Sequence, residues 1–112
     1  MRKERISSLL KTEIASILLK SVNDSRIQFI SITEVKLAKD MNSAEIFYSQ
    51  IGSETEREQT ARALRSAKSF IHAELCKAIR YMPIPRLYFK FDPRLEKNMN
   101  LVNKIRKLTE EW

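Results

Sequence analysis

The chain has little of what interrupts secondary structure: its 112 residues include one glycine, three prolines and one cysteine. So few interruptions predict long, well-defined elements in one domain. A lone Cys76 excludes an intramolecular disulfide and is typical of a reducing compartment. No apolar run reaches the ~20 residues of a membrane span, and Glu4 and Glu13 interrupt the apolar stretch that a signal peptide needs. We therefore expect a cytoplasmic protein without a membrane partner.

The sequence also lacks the motifs of common catalytic and metal sites. It contains no P-loop, no supported Ser/His/Asp or Cys/His set and no paired-carboxylate pattern. His72 and Cys76 are spaced i,i+4, but two ligands without further His or Cys make a poor zinc site. Core packing or a surface position is therefore expected for both. We predict that the protein is not an enzyme and uses no cofactor, metal or small-molecule substrate.

What the chain has in excess is positive charge, and the excess lies in its second half. Residues 1–61 carry nine Lys/Arg and nine Asp/Glu, whereas residues 62–112 carry twelve and five. A compact domain with one strongly basic region most often binds a polyanion, so nucleic-acid binding is the first hypothesis. Two alternatives stay open: a basic module that docks on an acidic protein partner, and a helical DNA-binding regulator. In each case we expect a monomer.

Apolar periodicity predicts a helix and then a hairpin in the first half. Residues 2–22 repeat apolar side chains at spacings of three and four, which is the helical pattern. Residues 27–37 and 44–51 are rich in β-branched and aromatic types and predict two antiparallel strands. Because the apolar face changes phase between Ile32 and Val35, we expect a β-bulge or burial on both sides there.

A long helical stretch follows the hairpin. The S-x-x-E pattern that begins at Ser53 predicts a capping box. A single straight helix beyond this cap would place Lys68 inside the apolar stripe and would point Phe70 away from it. We therefore predict a kink between two consecutive helices, over about 54–67 and 70–81.

The chain then turns into a third strand and a last helix. Pro83 and Pro85 block helix continuation. Residues 86–91 alternate apolar and polar side chains, which is the pattern of a strand. Asp92 is a candidate N-cap for a helix over 94–110. The predicted order α-β-β-α-α-β-α, with three strands around one core, is that of an α+β domain.

This order and six local patterns resemble the ribosome-binding factor A family over about residues 2–110. The patterns are Arg2-Lys3-x-Arg5-Ile6 with Glu13-Ile14, Val22-Asn23-Asp24-Ser25-Arg26, Ile32-Thr33-Glu34-Val35, Asp40-Met41-Asn42-Ser43-Ala44, Leu64-x-x-Ala67-x-x-Phe70-Ile71-x-x-Glu74-Leu75 and Pro85-x-Leu87-x-Phe89-x-x-Asp92. The resemblance implies a single type II KH-like domain over 1–112, in which a kinked helix pair replaces the GXXG loop of ordinary KH domains. Ser69 stands where the family prefers glycine in that kink.

The resemblance also implies a role. Proteins of this family are non-catalytic assembly factors that bind the small (30S) ribosomal subunit and its rRNA during late maturation and processing of small-subunit rRNA. Ribosome biogenesis and cold adaptation are implied in the same way.

Basic residues in several places are the candidate RNA contacts. The predicted set is Arg2, Lys3, Arg5, Arg62, Arg65, Lys68, Ser69, Lys77, Arg80, Arg86, Lys90 and Arg94. Lys and Arg would contact phosphates in a sequence-independent, salt-sensitive manner. The alternative for each is a solvated surface cation, and for the N-terminal group a frayed terminus. Tyr48, Tyr81 and Tyr88 could stack on bases, but core or edge packing is their expected role.

Overall fold

The computed structural model describes residues 2–27 and 30–94. Its elements over these residues are α1 (Arg2–Lys20), a 3-10 helix (Ser25–Ile27), β1 (Ile30–Leu37), β2 (Ser43–Gln50), α2 (Glu54–Ala78) and β3 (Arg86–Phe91). The predicted α+β class and all three predicted strands are confirmed. The helix predicted over 94–110 lies outside the described residues beyond Arg94. The type II KH-like assignment is compatible with this arrangement and stays a prediction.

The first strand begins later than predicted because a tight turn takes up its first residue. The Asp24 carboxylate accepts the backbone N–H of Arg26 at 2.9 Å, and the Asp24 carbonyl accepts that of Ile27 at 3.1 Å. These bonds form the 3-10 turn, and β1 starts only at Ile30. A short polar side chain can bond to backbone groups two residues on, and here it delays the extended conformation that the β-branched residues favour.

The sheet has the order β1-β2-β3, with β1 and β2 antiparallel and β2 and β3 parallel. Leu37 of β1 and Leu87 of β3 both lie beside Ala44 of the central strand. The β1–β2 register shifts between Ile32 and Glu34, which confirms the predicted irregularity as a bulge. Within the described residues β3 is therefore an edge strand, reached from β2 through the long crossover that a parallel pair requires.

Both helices pack on one face of this sheet. The buried apolar residues of the larger core cluster are Ile6, Leu10, Ile14, Ile17, Val35, Leu37, Ala44, Ile46, Ile71, Leu75, Ile79 and Leu87. Since side chains alternate along a strand, the intervening residues Lys36, Glu45 and Lys90 project from the opposite face. The sheet thus has one face covered by helices and one face that carries charged side chains.

The two separate helices predicted over 54–67 and 70–81 are wrong, because α2 is unbroken across 67–69, and a kink within α2 at these three positions stays a prediction. These three residues include no Pro or Gly, so every backbone N–H stays available for the helical ladder. The side chains absorb the conflict instead: Lys68 is half-buried within the apolar stripe, and Phe70 stays 44% exposed. No helix in the described part of the chain is both long and apolar enough to cross a membrane.

A buried polar chain holds the start of α2 against the end of the hairpin. The Gln50 side-chain amide donates to Thr60 Oγ1 at 2.7 Å, and that hydroxyl donates to the Arg26 carbonyl at 2.6 Å. Gln50 and Thr60 are buried, and most buried polar groups in proteins form hydrogen bonds. These bonds tie β2, α2 and the 3-10 turn together and so fix the direction in which α2 leaves the sheet.

Candidate nucleic-acid interface

The start of α2 is fixed by the predicted capping box. Ser53 Oγ accepts the Glu56 backbone N–H at 3.1 Å, and Glu56 Oε1 accepts the Ser53 N–H at 3.1 Å. The hydrogen bond from the Ser53 backbone to the carboxylate, and next that from the Ser53 side chain, lower the pKa of Glu56. With its start fixed and its apolar side on the sheet, α2 has one rotation about its axis that buries Leu64 and Ile71.

That rotation places basic side chains on the outer side of α2. Arg62, Arg65 and Ser69 are spaced i, i+3 and i+7, and all three are exposed. The spacing brings them to one side of the helix, one turn apart. Neither Arg62 nor Arg65 forms a salt bridge with any carboxylate in the described part of the chain. Their charge is therefore available to an external anion.

Lys68 lies on the flank of α2 that approaches β3. Its Nζ is 4.3 Å from the centroid of the Tyr88 ring, which is within the range of a cation–π contact. Tyr88 is an edge-strand residue and is 44% exposed. This contact allows Lys68 to be half-buried without a carboxylate partner and joins the helix to the sheet edge. We call Arg62, Arg65, Lys68 and Ser69 together the α2 surface.

Arg65 has an electrostatic effect on Tyr48 of β2. Burial raises the pKa of the Tyr48 hydroxyl, and the positive charge of Arg65 opposes that shift in part. Tyr48 itself is buried, as predicted for a packing role.

The remaining cations of this segment are engaged near the end of α2. The Lys77 ammonium is 3.3 Å from the Glu74 carboxylate. The Arg80 Nε–H donates to the Lys77 carbonyl at 3.4 Å, beyond the last helical residue Ala78. A side chain that bonds a terminal carbonyl stabilises the negative end of a helix. Both predicted residues thus have a local structural role.

Lys90 and Arg94 are paired with carboxylates, which the sequence did not indicate. Lys90 forms an ion pair with Glu45 on the neighbouring strand. The Arg94 guanidinium is 2.6 Å from the Asp92 carboxylate and 3.5 Å from Glu34. Because these pairs neutralise the cations locally, each offers less net charge to a phosphate than the counts of the sequence suggest.

Asp92 is the centre of the network around Arg94. Its carboxylate accepts hydrogen bonds from the Arg94 side chain, from the Thr33 hydroxyl at 2.7 Å and from the Arg94 backbone N–H at 3.1 Å. These donors hold the pKa of Asp92 well below its usual range, with the Arg94 side chain as the largest cause. The backbone contact also fits the predicted N-cap role of Asp92.

The N-terminal basic group is helical and not frayed, since α1 begins at Arg2. Arg2, Lys3 and Arg5 are exposed in its first turns. Of these, Arg2 lines a groove of about 740 Å³ together with Arg86. No α2 residue lines this groove, so the twelve predicted positions fall in separate places on the molecule.

The other candidate residues have mixed outcomes. Tyr81 is 76% exposed, so the packing role predicted for it is wrong. His72 is half-buried, and its Nε2 lies 3.3 Å from the Ile84 carbonyl, while Cys76 Sγ lies 3.7 Å from its Nδ1. No group of three or more His, Cys, Asp or Glu side chains among residues 2–27 and 30–94 is arranged to hold a metal ion.

Comparisons with known proteins agree on one family. The family model of ribosome-binding factor A matches residues 2–105. Ribosome-binding factor A of Dictyoglomus thermophilum is 45% identical over 108 residues, which is 96% of this chain and 90% of the relative. The crystal structure of ribosome-binding factor A from Thermus thermophilus superimposes with a TM-score of 0.71 at 26% identity, over 80% of this chain and 93% of that one.

A further structural relative is a homology model of the Thermus thermophilus ribosome-binding factor A, fitted into a cryo-EM map of a complex with the 30S subunit. It matches with a TM-score of 0.65 at 25% identity, over 78% of this chain and 91% of that one.

Proposed function

Because the chain belongs to the ribosome-binding factor A family, we propose that it binds the small (30S) ribosomal subunit and its rRNA during late maturation and processing of small-subunit rRNA. It acts there as a non-catalytic, cytoplasmic factor of a single domain and as a monomer. The relative fitted into a 30S complex supports the partner. A role in growth at low temperature follows from the same family.

The observation that carries this proposal is the unpaired charge of the α2 surface. Arg62 and Arg65 are exposed and have no carboxylate partner in the described part of the chain, and Lys68 has only the Tyr88 ring. A rigid helix that presents such cations one turn apart can follow the phosphates of a nucleic-acid strand. Ser69 adds a hydroxyl donor on the same side of the helix.

The remaining predicted residues have lesser parts in this proposal. Lys77, Lys90 and Arg94 are already paired within the protein, and Arg80 bonds to the end of α2. Their charges still add to the long-range field that steers the protein toward a polyanion. Compared with these four residues, the α2 surface supplies the direct contacts.

The test is co-sedimentation of the purified protein with 30S subunits over a range of salt concentrations. The variant R62Q/R65Q/K68Q removes three cations from the α2 surface and keeps side-chain length and helix propensity similar. Its matched control is K11Q/K20Q/K39Q, which removes the same charge from three exposed positions elsewhere. We expect roughly a 100-fold loss of affinity for the first variant and less than about tenfold for the control.

Two outcomes would overturn the proposal. Absence of the wild-type protein from 30S fractions at low salt would point to a protein or DNA partner. Equal losses for the two triple variants would remove the α2 surface from the interface. The maturation role has its own readout: cells that lack the protein should accumulate precursor small-subunit rRNA at low temperature, and the wild-type chain should reverse this more fully than R62Q/R65Q/K68Q.

A further inference from the structure

A groove of about 740 Å³ lies at the end of the molecule where α1 begins. Three segments form it: the first turns of α1, the turn between β1 and β2, and the segment that leads from α2 into β3. The lining includes Arg2, Met41, Met82, Ile84, Arg86 and Tyr88. Its volume is within the range of small-ligand sites.

The inner part of the groove is apolar and firmly supported. Ile6 and Leu37 belong to the buried core, and Met41, Met82 and Ile84 are half-buried against that core. Pro83 and Pro85, whose rings fix their φ angles, form the adjoining wall. The surface is therefore largely formed before any ligand arrives.

Met41 reaches this position through an unfavourable backbone conformation. Its φ is 62°, the only positive φ at a non-glycine residue in the described part of the chain. The Met41 N–H donates to the Ala38 carbonyl at 3.0 Å, and the Asp40 carboxylate accepts the Asn42 N–H at 3.0 Å. Left-handed conformations at non-glycine residues are costly and are retained where the surroundings enforce them, often at functional sites.

The rim of the groove is basic. Arg2 and Arg86 are exposed, and no salt bridge among residues 2–27 and 30–94 involves either of them. The one acidic residue of the lining, Asp40, is engaged by the Asn42 backbone at 3.0 Å and by its side-chain amide at 3.3 Å. The unpaired guanidinium groups therefore set the sign of the potential at the rim, and they complement an anion.

An aromatic side chain completes the site. Tyr88 lines the groove and is 44% exposed. The Lys68 ammonium contacts the Tyr88 ring, so this ring lies between the groove and the α2 surface. A strand of RNA that contacts α2 would pass this ring before it reaches the groove.

We propose that the groove binds one unstacked nucleotide of single-stranded rRNA, as an extension of the proposed function on which this inference rests. The base packs on Met41 and Met82 beside the Tyr88 ring, and Arg2 and Arg86 bind the flanking phosphates. Single-stranded RNA offers what the site needs, because its bases can leave the stack while its phosphates stay exposed. A duplex cannot place a base there.

The test titrates the full-length protein with the single-stranded pentanucleotide r(U)5 and follows backbone amide signals by NMR. We expect saturable shifts at Met41, Asn42 and Ile84. The variant R2Q/R86Q should weaken binding roughly tenfold. It should also lower the magnitude of the slope of log affinity against log salt concentration by about 1.4, since each phosphate contact to a single strand contributes about 0.7. The control K11Q/K20Q makes the same charge change away from the groove.

A second variant keeps the test independent of folding damage. Met41→Gly removes the apolar side chain from the groove and from its contacts with the core, and it relieves the left-handed backbone. Because these two effects on stability oppose each other, the variant should stay folded at the temperature of the titration, as its unfolding temperature checks, while r(U)5 binding weakens. The inference is overturned if r(U)5 causes no shifts at the groove, or if R2Q/R86Q and K11Q/K20Q lose affinity equally. Because these readouts do not involve the ribosome, failure of 30S binding would count against the proposed function instead.

Discussion

The α2 surface and the charged face of the sheet both carry basic residues, but they differ in whether those residues pair with carboxylates. On α2, Arg62 and Arg65 have no carboxylate partner within the described chain. On the sheet, Lys90 pairs with Glu45, and at the end of β3 Arg94 pairs with Asp92. Strand neighbours place Lys90 beside Glu45 across the ladder. On the outer side of α2, no carboxylate of the described chain lies within salt-bridge distance of Arg62 or Arg65.

The contrast shows that the net charge of a sequence predicts attraction to a polyanion but does not identify which cations contact it. The net charge of +7 belongs to the whole chain and predicts attraction to a polyanion. Which cations can contact a phosphate depends on the carboxylates around them, and some of those come from distant parts of the sequence. Glu45 and Lys90 are far apart in the chain and become neighbours only through the parallel β2–β3 pair.

The largest expected effect comes from reversing charge in the two regions separately. R62E/R65E and K77E/K90E change the net charge equally, but only the first acts on unpaired cations. We expect about a 100-fold loss of 30S affinity for R62E/R65E, which is about 2.7 kcal/mol, and about tenfold or less for K77E/K90E. Co-sedimentation at one fixed salt concentration measures both.

Each protein's unfolding temperature serves as the control, since K77E and K90E create repulsion with Glu74 and Glu45. If K77E/K90E is folded and loses as much affinity as R62E/R65E, the pairing of a cation does not decide its part in binding. The distinction between the two regions would then have to be abandoned.

A smaller effect is expected for the Arg94–Asp92 pair, and it depends on pH. The pKa of Asp92 is lowered in the folded protein, so its contribution to stability is present above the unfolded pKa of about 4 and is lost as pH falls toward the folded pKa. Arg94→Met should lower the unfolding temperature by several degrees at pH 7. The two proteins should begin to converge below about pH 4, and the difference between them should still be shrinking at pH 2.

Thermal unfolding followed by circular dichroism from pH 2 to 7 would measure this convergence. Glu34→Gln is the matched control because it removes only the longer 3.5 Å contact to Arg94 and leaves Asp92 in place. A constant difference between Arg94→Met and wild type across the whole range would show that Arg94 acts by packing and not by its charge.

Local patterns in the sequence predicted much of the fold. The β3 bounds, the capping box at Ser53 and the bulge in β1 follow from alternation, from a short motif and from a change of phase. Each of these features is decided by residues within a few positions of one another. For this reason they could be read without knowledge of the tertiary structure.

The features that were not predicted depend on contacts between distant residues. The half-buried position of Lys68 is accompanied by a contact with the ring of Tyr88, twenty positions later, and helical periodicity alone could not supply that partner. The groove shared by Arg2 and Arg86 likewise requires the two ends of the described chain to meet. In the candidate site, the sequence identified the residue types, and the fold determined which of them act together.

The smallest expected effect concerns Ser69, one of the predicted RNA contacts. Ser69 and Ser66 are both exposed within unbroken α2, so replacing either with glycine should cost about 0.5 kcal/mol of stability through helix propensity. Chemical denaturation would measure this loss.

If RNA contacts on α2 come from long cationic side chains, Ser69→Gly should change 30S affinity less than about twofold, as should the control Ser66→Gly. A gain of several fold for Ser69→Gly alone would mean that the RNA backbone approaches α2 closely at this position, and that a side chain there limits binding.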